Sequence, residues 1–321
     1  MSGTERAVEA QHETSPIREV WAPGIVWSVD VREVLFDTRS EFQHIQVVDT
    51  APLGRVLVLD GHVQCAEGDE AGYHELLVHV GLCRKGSPPG KRRVLVIGGG
   101  DGGSAREALR HSDVERVDLV DIDIAVMNAA REFLPRLWTM PDGDGPLDDD
   151  PRFHAYAEDG LSFLEDSSTA DYDLIVVDAS DPIGPGAVLY SPRFYAAIHR
   201  RLRRGGAVTV QAGSFQYLPA VLQLVHSGLR SQFEVVRAYE CRTSVYPGGI
   251  WNLVVATRGD DPAVPDEPRT RALEGLSYYD SANHRAAFVL PPAARDVLAE
   301  PPPLLGEVQS HLRELCDAEE R

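Results

Sequence analysis

The sequence contains no apolar run approaching the roughly 20 residues needed to cross a bilayer, so a membrane-spanning protein is not expected. It has no Cys-x-x-Cys pair; Cys65, Cys83, Cys241 and Cys316 are scattered. That spacing gives no zinc pattern and favours reduced thiols in a cytoplasmic protein. Basic residues are scarce: 31 lysines and arginines face 50 aspartates and glutamates, a net charge of −19. Phosphate backbones are gripped by basic patches, so nucleic acid is not an expected partner. The same imbalance suits solubility, and it suits a cationic small molecule drawn into an acidic cleft. No internal repeat is evident. The opening "MSGTERAVEAQHETSP" lacks an apolar core and reads as a disordered tail over 1–16 rather than a signal peptide.

What is present is ordinary for a globular chain: 321 residues, 43% hydrophobic and 25% charged, enough for one large or two modest domains. Two regimes divide it. From Gly24 to Cys65 strand follows strand, broken at Ala51-Pro52 and at Asp60-Gly61, a tight hairpin signal. This predicts a small antiparallel β-domain over 17–68. A helix is expected over Asp69–Arg84, with Leu76, Leu77, Val80 and Leu82 broadly on one side. "KGSPPGKRR" then reads as a linker. From Arg93 the chain alternates. Seven candidate strands, from "RVLVIG" to "WNLVVAT", are mostly separated by helical stretches such as Ile124–Phe133 and Pro219–Arg230. Alternation of this kind predicts an α/β fold, a doubly wound and mainly parallel seven-stranded sheet in a Rossmann-like domain over 69–300. "TMPDGDGPLDDDPR" reads as a solvated acidic loop, and 301–321 as a polar C-terminal tail.

The chemistry-bearing residues fall at the ends of the candidate strands. "VLVIGGGDGGSAREAL" is strand, glycine-rich turn and helix, and Gly98, Gly100 and Gly103 satisfy G-x-G-x-x-G in the setting that motif requires. Within it stands Asp101, which would repel a pyrophosphate. Asp101 instead suits a ligand cation, or caps the following helix. Asp121 ends the next strand, roughly 20 residues on, where a ribose diol is usually held. Asp159 follows the third strand and could accept from an adenine amino group or cap a helix. Asp178 ends the fourth, "DLIVVD", with Asp181 three residues later. In open α/β sheets ligands bind at the carboxyl ends of the strands, so Asp101, Asp121, Asp159 and Asp178 should converge on one crevice. Two suit hydroxyls and an amine and two suit positive charge, which describes an adenosine with a cationic tail.

"VLVIGGGDGGSARE", "DLIVVDASDPIGP", "YYDSANHRAAFVLP" and "VYPGG", with "GRVLVLDGHVQCAEGDEAGYHELLVHV" earlier, resemble the polyamine aminopropyltransferase family, that of the spermidine synthases. The likeness runs from about Trp21 to Leu290. It implies a methyltransferase-like Rossmann domain behind a small β-domain. It also implies transfer of an aminopropyl group from decarboxylated S-adenosylmethionine, a co-substrate, to a diamine such as putrescine, with no metal and no further cofactor. Carried over, Asp101 holds the tail ammonium, Asp121 the ribose and Asp159 the adenine. Gln43, Gln64 and His74 belong to the nucleoside side. Asp178 is the base, aided by Tyr73, while Tyr73, Asp181, Gln211 and Tyr246 line the acceptor channel. Asp121 stands where the family commonly has glutamate. "WAPG" is one residue longer than the family's "WPG", so Trp21 is left unassigned. The resemblance implies a homodimer or homotetramer. The competing functions are an S-adenosylmethionine-dependent diamine N-methyltransferase, an aminopropyltransferase using agmatine, cadaverine or spermidine, and an NAD-binding sensor or non-catalytic scaffold.

Overall fold

The computed structural model describes residues 15–166 and 171–319. The tail expected over 1–16 therefore lies almost wholly outside the described residues. The N-terminal region is not one sheet but two. β1 (Ile17–Ala22) and β2 (Ile25–Val29) form a separate hairpin, with a register shift between Val20 and Ala22. β3 (Val31–Arg39), β4 (His44–Thr50), β5 (Gly54–Leu59) and β6 (His62–Ala66) form a four-stranded antiparallel meander. Strand follows strand after Gly24 as expected, but at Asp30 the chain leaves one sheet for the other. The Asp-Gly hairpin is present: Asp60 and Gly61 take φ of 49° and 87°, the left-handed pair that a two-residue turn of this twist demands.

α1 (Ala71–Leu82) is shorter than expected and is not amphipathic. Every residue from Gly72 to Leu82 is buried, because α1 lies between the large sheet and other elements packed on it. Its polar groups are spent on loops. The Glu75 carboxylate accepts from the backbone N–H groups of Ser277, Tyr278 and Tyr279 at 2.6–2.9 Å. Just before α1, Asp69 Oδ2 accepts from Thr243 Oγ1 and Ser244 N, both at 2.6 Å. Two distant stretches of sequence are thereby tied to this helix and its approach.

The second region builds β7 (Arg92–Gly98), α2 (Gly103–Leu109), β8 (Val114–Asp121), α3 (Ile124–Phe133), β9 (Phe153–Ala157), α4 (Gly160–Asp166), β10 (Tyr172–Asp178), α5 (Pro192–Arg201), β11 (Leu202–Gln211), α6 (Pro219–Arg230), β12 (Val235–Arg242) and β13 (Ile250–Thr257). The seven strands form one sheet in the order β12-β13-β11-β10-β7-β8-β9, parallel except for β13. The central strands β7, β10 and β11 are near-continuous apolar runs, as strands covered on both faces must be. The strand order reverses between β7 and β10. That is the switch point at which open α/β sheets bind ligands. Gly98 and Asp178 are register partners there.

Four more helices close the chain: α7 (Glu267–Arg271), α8 (Ser281–Ala287), α9 (Pro292–Ala299) and α10 (Leu305–Glu319). The segment expected as a polar tail over 301–321 is thus mainly helix. Leu305, Val308, Leu312 and Leu315 recur at helical spacing, and Val308 and Leu312 are buried where α10 packs on β1 and α6. The acidic loop is also more ordered than its composition implied. Trp138 Nε1 donates to Asp148 at 2.6 Å, Arg131 pairs with the same carboxylate, and Leu147 is buried.

Candidate active site

A cavity of about 340 Å³ opens at the switch point and runs between the large sheet, the β3–β6 meander, β1 and α10. The four strand-end carboxylates expected to converge do so. Asp101, Asp121, Asp159 and Asp178 all line it, and Glu19, Asp60 and Asp181 join them. Among the described lining residues there is no lysine or arginine.

The glycine loop makes the close approach possible. Gly98 has φ +77°, and a Cβ there would lie 2.2 Å from the Asp178 carbonyl oxygen, so no larger residue fits. Gly99 N donates to that same carbonyl at 2.7 Å. Gly100 N donates to Asp121 Oδ2 at 3.1 Å, which locks the loop to the end of β8. Asp101 lines the cavity, and its Oδ1 also accepts from Gly103 N at 2.7 Å, at the start of α2.

Two expected donor contacts fall elsewhere. Gly103 and His74 do not line the cavity. A Cβ on Gly103 would meet the His74 ring at 2.3 Å, so Gly103 is small to admit His74, not a ligand. His74 is 1% exposed and lies behind the loop, with Nδ1 2.8 Å from Glu70 and Nε2 3.5 Å from Asp101 and 3.8 Å from Asp178. Glu70 is in turn held by both oxygens on Arg106 Nη2 at 2.8 Å. Burial alone would lower the His74 pKa, but Asp101 and Glu70 outweigh it and hold it well above its ordinary value. Glu70, Asp101 and Asp178 therefore favour the protonated form of His74, whose ring lies between them.

That cation acts unequally on its neighbours. Burial pushes Asp101 up, yet His74 and the Gly103 N–H bring it below the usual carboxylate value. Asp178 goes the other way: burial first, and then the charge of Asp101, raise it against the pull of His74 and two hydroxyls. Those hydroxyls are Tyr73 OH on Oδ1 at 2.7 Å and Ser104 Oγ on Oδ2 at 2.6 Å. Two carboxylates pushed apart in this way are suited to different roles, the lowered one as a standing ion and the raised one as a proton acceptor. Tyr73 keeps its proton, since burial drives its pKa well above the ordinary value.

At the β8 end of the cavity, Asp121 accepts from Asp123 N at 2.8 Å and from Gly100 N, and burial raises its pKa to about 6. Asp123 caps α3 through Oδ1 and accepts from Ser40 Oγ and Gln43 Nε2 through Oδ2. Asp123 thereby ties the loop between β3 and β4 to the start of α3, and Arg55 Nη1 adds a bond from β5 to Phe133 O at 2.9 Å. Asp159 lines the cavity while capping α4 through Ser162 N at 2.8 Å. Gln64 of β6 also lines the cavity. A diol can donate to both oxygens of Asp121 only when the carboxyl is ionised, so a diol-bearing ligand held there should bind more weakly as pH falls through about 6. Titration calorimetry with methylthioadenosine at several pH values checks this, and Asp121→Asn should flatten the profile.

At the other end, Gln211 Nε2 donates to Ala179 O and Tyr190 OH at 2.8 Å, and its Oε1 accepts from Trp251 Nε1. Asp181 Oδ1 is buried without a hydrogen-bond partner, and burial raises its pKa. Tyr246 donates to Gln64 O and sets its ring edge-on to Tyr73, 5.6 Å between centroids. Trp21 does line the cavity despite the additional residue in "WAPG", stacked on Trp27 with its Nε1 unpartnered. Sequence reasoning did not single out Glu19, His62, Ser104 or Trp251. Ser104 had a signal, lying directly after the glycine loop; Glu19 and His62 had none, because their strands belong to sheets whose placement no local pattern reveals.

Comparison with known proteins agrees with this geometry. Residues 70–265 match the family model of the spermine/spermidine synthase domain, and residues 16–67 that of the spermidine synthase tetramerisation domain. The chain is 36% identical over 294 residues to spermidine synthase 1 of Hyoscyamus niger, covering 88% of this chain and 90% of that one. It is 34% identical over 274 residues to a polyamine aminopropyltransferase of Thermoanaerobacter sp. (strain X514), covering 85% and 95%. A solved spermidine synthase in complex with the transition-state analogue AdoDATO superimposes with a TM-score of 0.82 at 30% identity, over 90% of this chain and 96% of that one. The spermidine synthase of Thermotoga maritima gives 0.80 at 29% identity, over 90% and 95%. The chain belongs to the spermine/spermidine synthase family and is an aminopropyltransferase.

Proposed function

We propose that the enzyme moves the aminopropyl group of decarboxylated S-adenosylmethionine to putrescine, yielding spermidine, 5′-methylthioadenosine and a proton. The observation that carries this reading is the cavity's sign: seven carboxylates, from Glu19 to Asp181, and no lysine or arginine among its described lining residues. Both substrates are cations, and such a cleft concentrates them. Asp121 takes the ribose hydroxyls, Asp159 the adenine amine, and Gln43 and Gln64 flank the nucleoside. Asp101 takes the tail ammonium. Asp181 holds the acceptor between Tyr246 and Gln211, and Asp178 with Tyr73 orients the reacting nitrogen.

The acceptor amine arrives protonated and must lose that proton to attack. Asp178, whose pKa burial and Asp101 raise, can accept it. The nitrogen then bonds to the methylene beside the sulfonium. The carbon–sulfur bond breaks, and its electron pair stays on sulfur as the neutral thioether. The leaving group is already activated, so alignment of nitrogen, carbon and sulfur is the protein's main contribution. The surrounding carboxylates balance charge best when they do not crowd the sulfonium, which would stabilise the ground state. Residues 16–67, matched to a tetramerisation domain, support assembly as a homotetramer over a homodimer.

Incubation with putrescine and the decarboxylated donor, read by mass spectrometry, should give spermidine and methylthioadenosine in equal amounts. Methylated putrescine from the intact donor, without aminopropyl product, would establish the N-methyltransferase instead. Asp181→Asn should raise the acceptor KM about tenfold, the worth of one charge-assisted hydrogen bond, with kcat little changed. An unchanged acceptor KM in steady-state kinetics would remove Asp181 from the acceptor channel.

A further inference from the structure

The family models match residues 16–67 and 70–265, so α10 lies outside both. Even so, Leu312, Leu315 and Cys316 of α10 line the same cavity as the strand-end carboxylates. Their position within it is fixed by neighbours. Cys316 Sγ lies 3.5 Å from His62 Nε2. His62 acts electrostatically on Asp181. α10 packs along β1, which contributes Glu19 and Trp21 to the lining. The far, nucleoside side is bounded by Asp121 and Asp159, at the opposite end of the strand order.

We propose that α10 is the distal wall of the acceptor pocket, and that Leu312, Leu315 and Cys316 limit the length of amine it accepts. This inference rests on the aminopropyltransferase reading above. An ammonium is drawn in by Asp181 and Glu19, while the apolar face of α10 gives no partner to a further charged nitrogen. A charged group pushed against Leu312 and Leu315 would lose hydration without replacement. A short diamine ends before that wall; a longer diamine or a triamine runs into it. Acceptor choice is thus set partly by a helix that the family models do not include.

Leu315→Ala is the direct test, because Leu315 is only half-buried and its truncation spares the core contacts of Val308 and Leu312. The ratio of kcat/KM for cadaverine over putrescine should rise about tenfold, the scale of one or two methylenes in an apolar pocket, with the donor KM unchanged. An unaltered acceptor profile, or a donor KM that rises in parallel, would overturn the proposal. A second measurement needs no variant. Cys65, Cys83 and Cys241 are buried and Cys316 is half-exposed, so alkylation of the native enzyme should mark Cys316 first. Putrescine with methylthioadenosine should slow that labelling severalfold beyond methylthioadenosine alone; equal rates would overturn the proposal. Wild-type turnover on putrescine, measured alongside, reports on the proposed function separately.

Discussion

Asp178→Asn should lower kcat by about 10²–10⁴-fold, the range associated with losing a positioned general base, while methylthioadenosine affinity stays close to wild type. The substitution keeps size and shape. Tyr73 OH can still donate to the amide oxygen, and Ser104 Oγ can turn to accept from the amide nitrogen, so both contacts of Asp178 survive in altered polarity. What is lost is the site that takes the proton. In the wild type, kcat should fall as pH drops, because a protonated Asp178 cannot accept. Burial and the charge of Asp101 raise its pKa, so that acid limb should lie above the ordinary carboxylate range. Steady-state kinetics against pH and calorimetric titration of the nucleoside separate the two effects. Equal loss of turnover and of nucleoside affinity would show that Asp178 is structural.

Asp101→Asn should raise the donor KM by about 30- to 1,000-fold, corresponding to about 2–4 kcal/mol for a desolvated charge pair broken on one side. Asparagine can still accept from Gly103 N, so the start of α2 keeps its cap. The tail ammonium loses its counter-charge. His74 loses a carboxylate neighbour too, and one that helps hold its pKa up. The acceptor KM should change far less, since Asp181 and Tyr246 are untouched. Discrimination against intact S-adenosylmethionine should also relax, because the carboxylate that repels its amino-acid tail is gone. Donor titrations and acceptor titrations run separately check the split.

Much of the large sheet was legible because its signals are local. Strand-end aspartates, a glycine turn between strand and helix, and apolar runs such as Leu174–Val177 announce a doubly wound sheet without knowledge of its neighbours. Convergence of Asp101, Asp121, Asp159 and Asp178 follows from topology alone, as parallel strands deliver their ends to one edge. His74 was misplaced for a physical reason. Its neighbour Tyr73 lines the cavity, but adjacent residues on a helix point roughly 100° apart, so His74 turns inward behind Gly103. α1 showed a weak apolar stripe because it has no solvent face to contrast with. The tail after Glu300 read as polar because Leu305, Val308, Leu312 and Leu315 are diluted among charged residues, although their spacing is helical. The wall that α10 builds across the cavity depends on a contact between chain positions about 250 residues apart, and no window of sequence contains it.

The central claim is that a negatively lined cavity selects a donor whose tail is a bare ammonium. Calorimetric titration of the wild-type enzyme with the decarboxylated donor and with intact S-adenosylmethionine, under identical salt, addresses it most directly. The expected result is tighter binding of the decarboxylated donor by at least about tenfold, since each 1.4 kcal/mol is one decade, with that preference much reduced in Asp101→Asn. Equal affinity for the two donors, or tighter binding of the intact one, would contradict it.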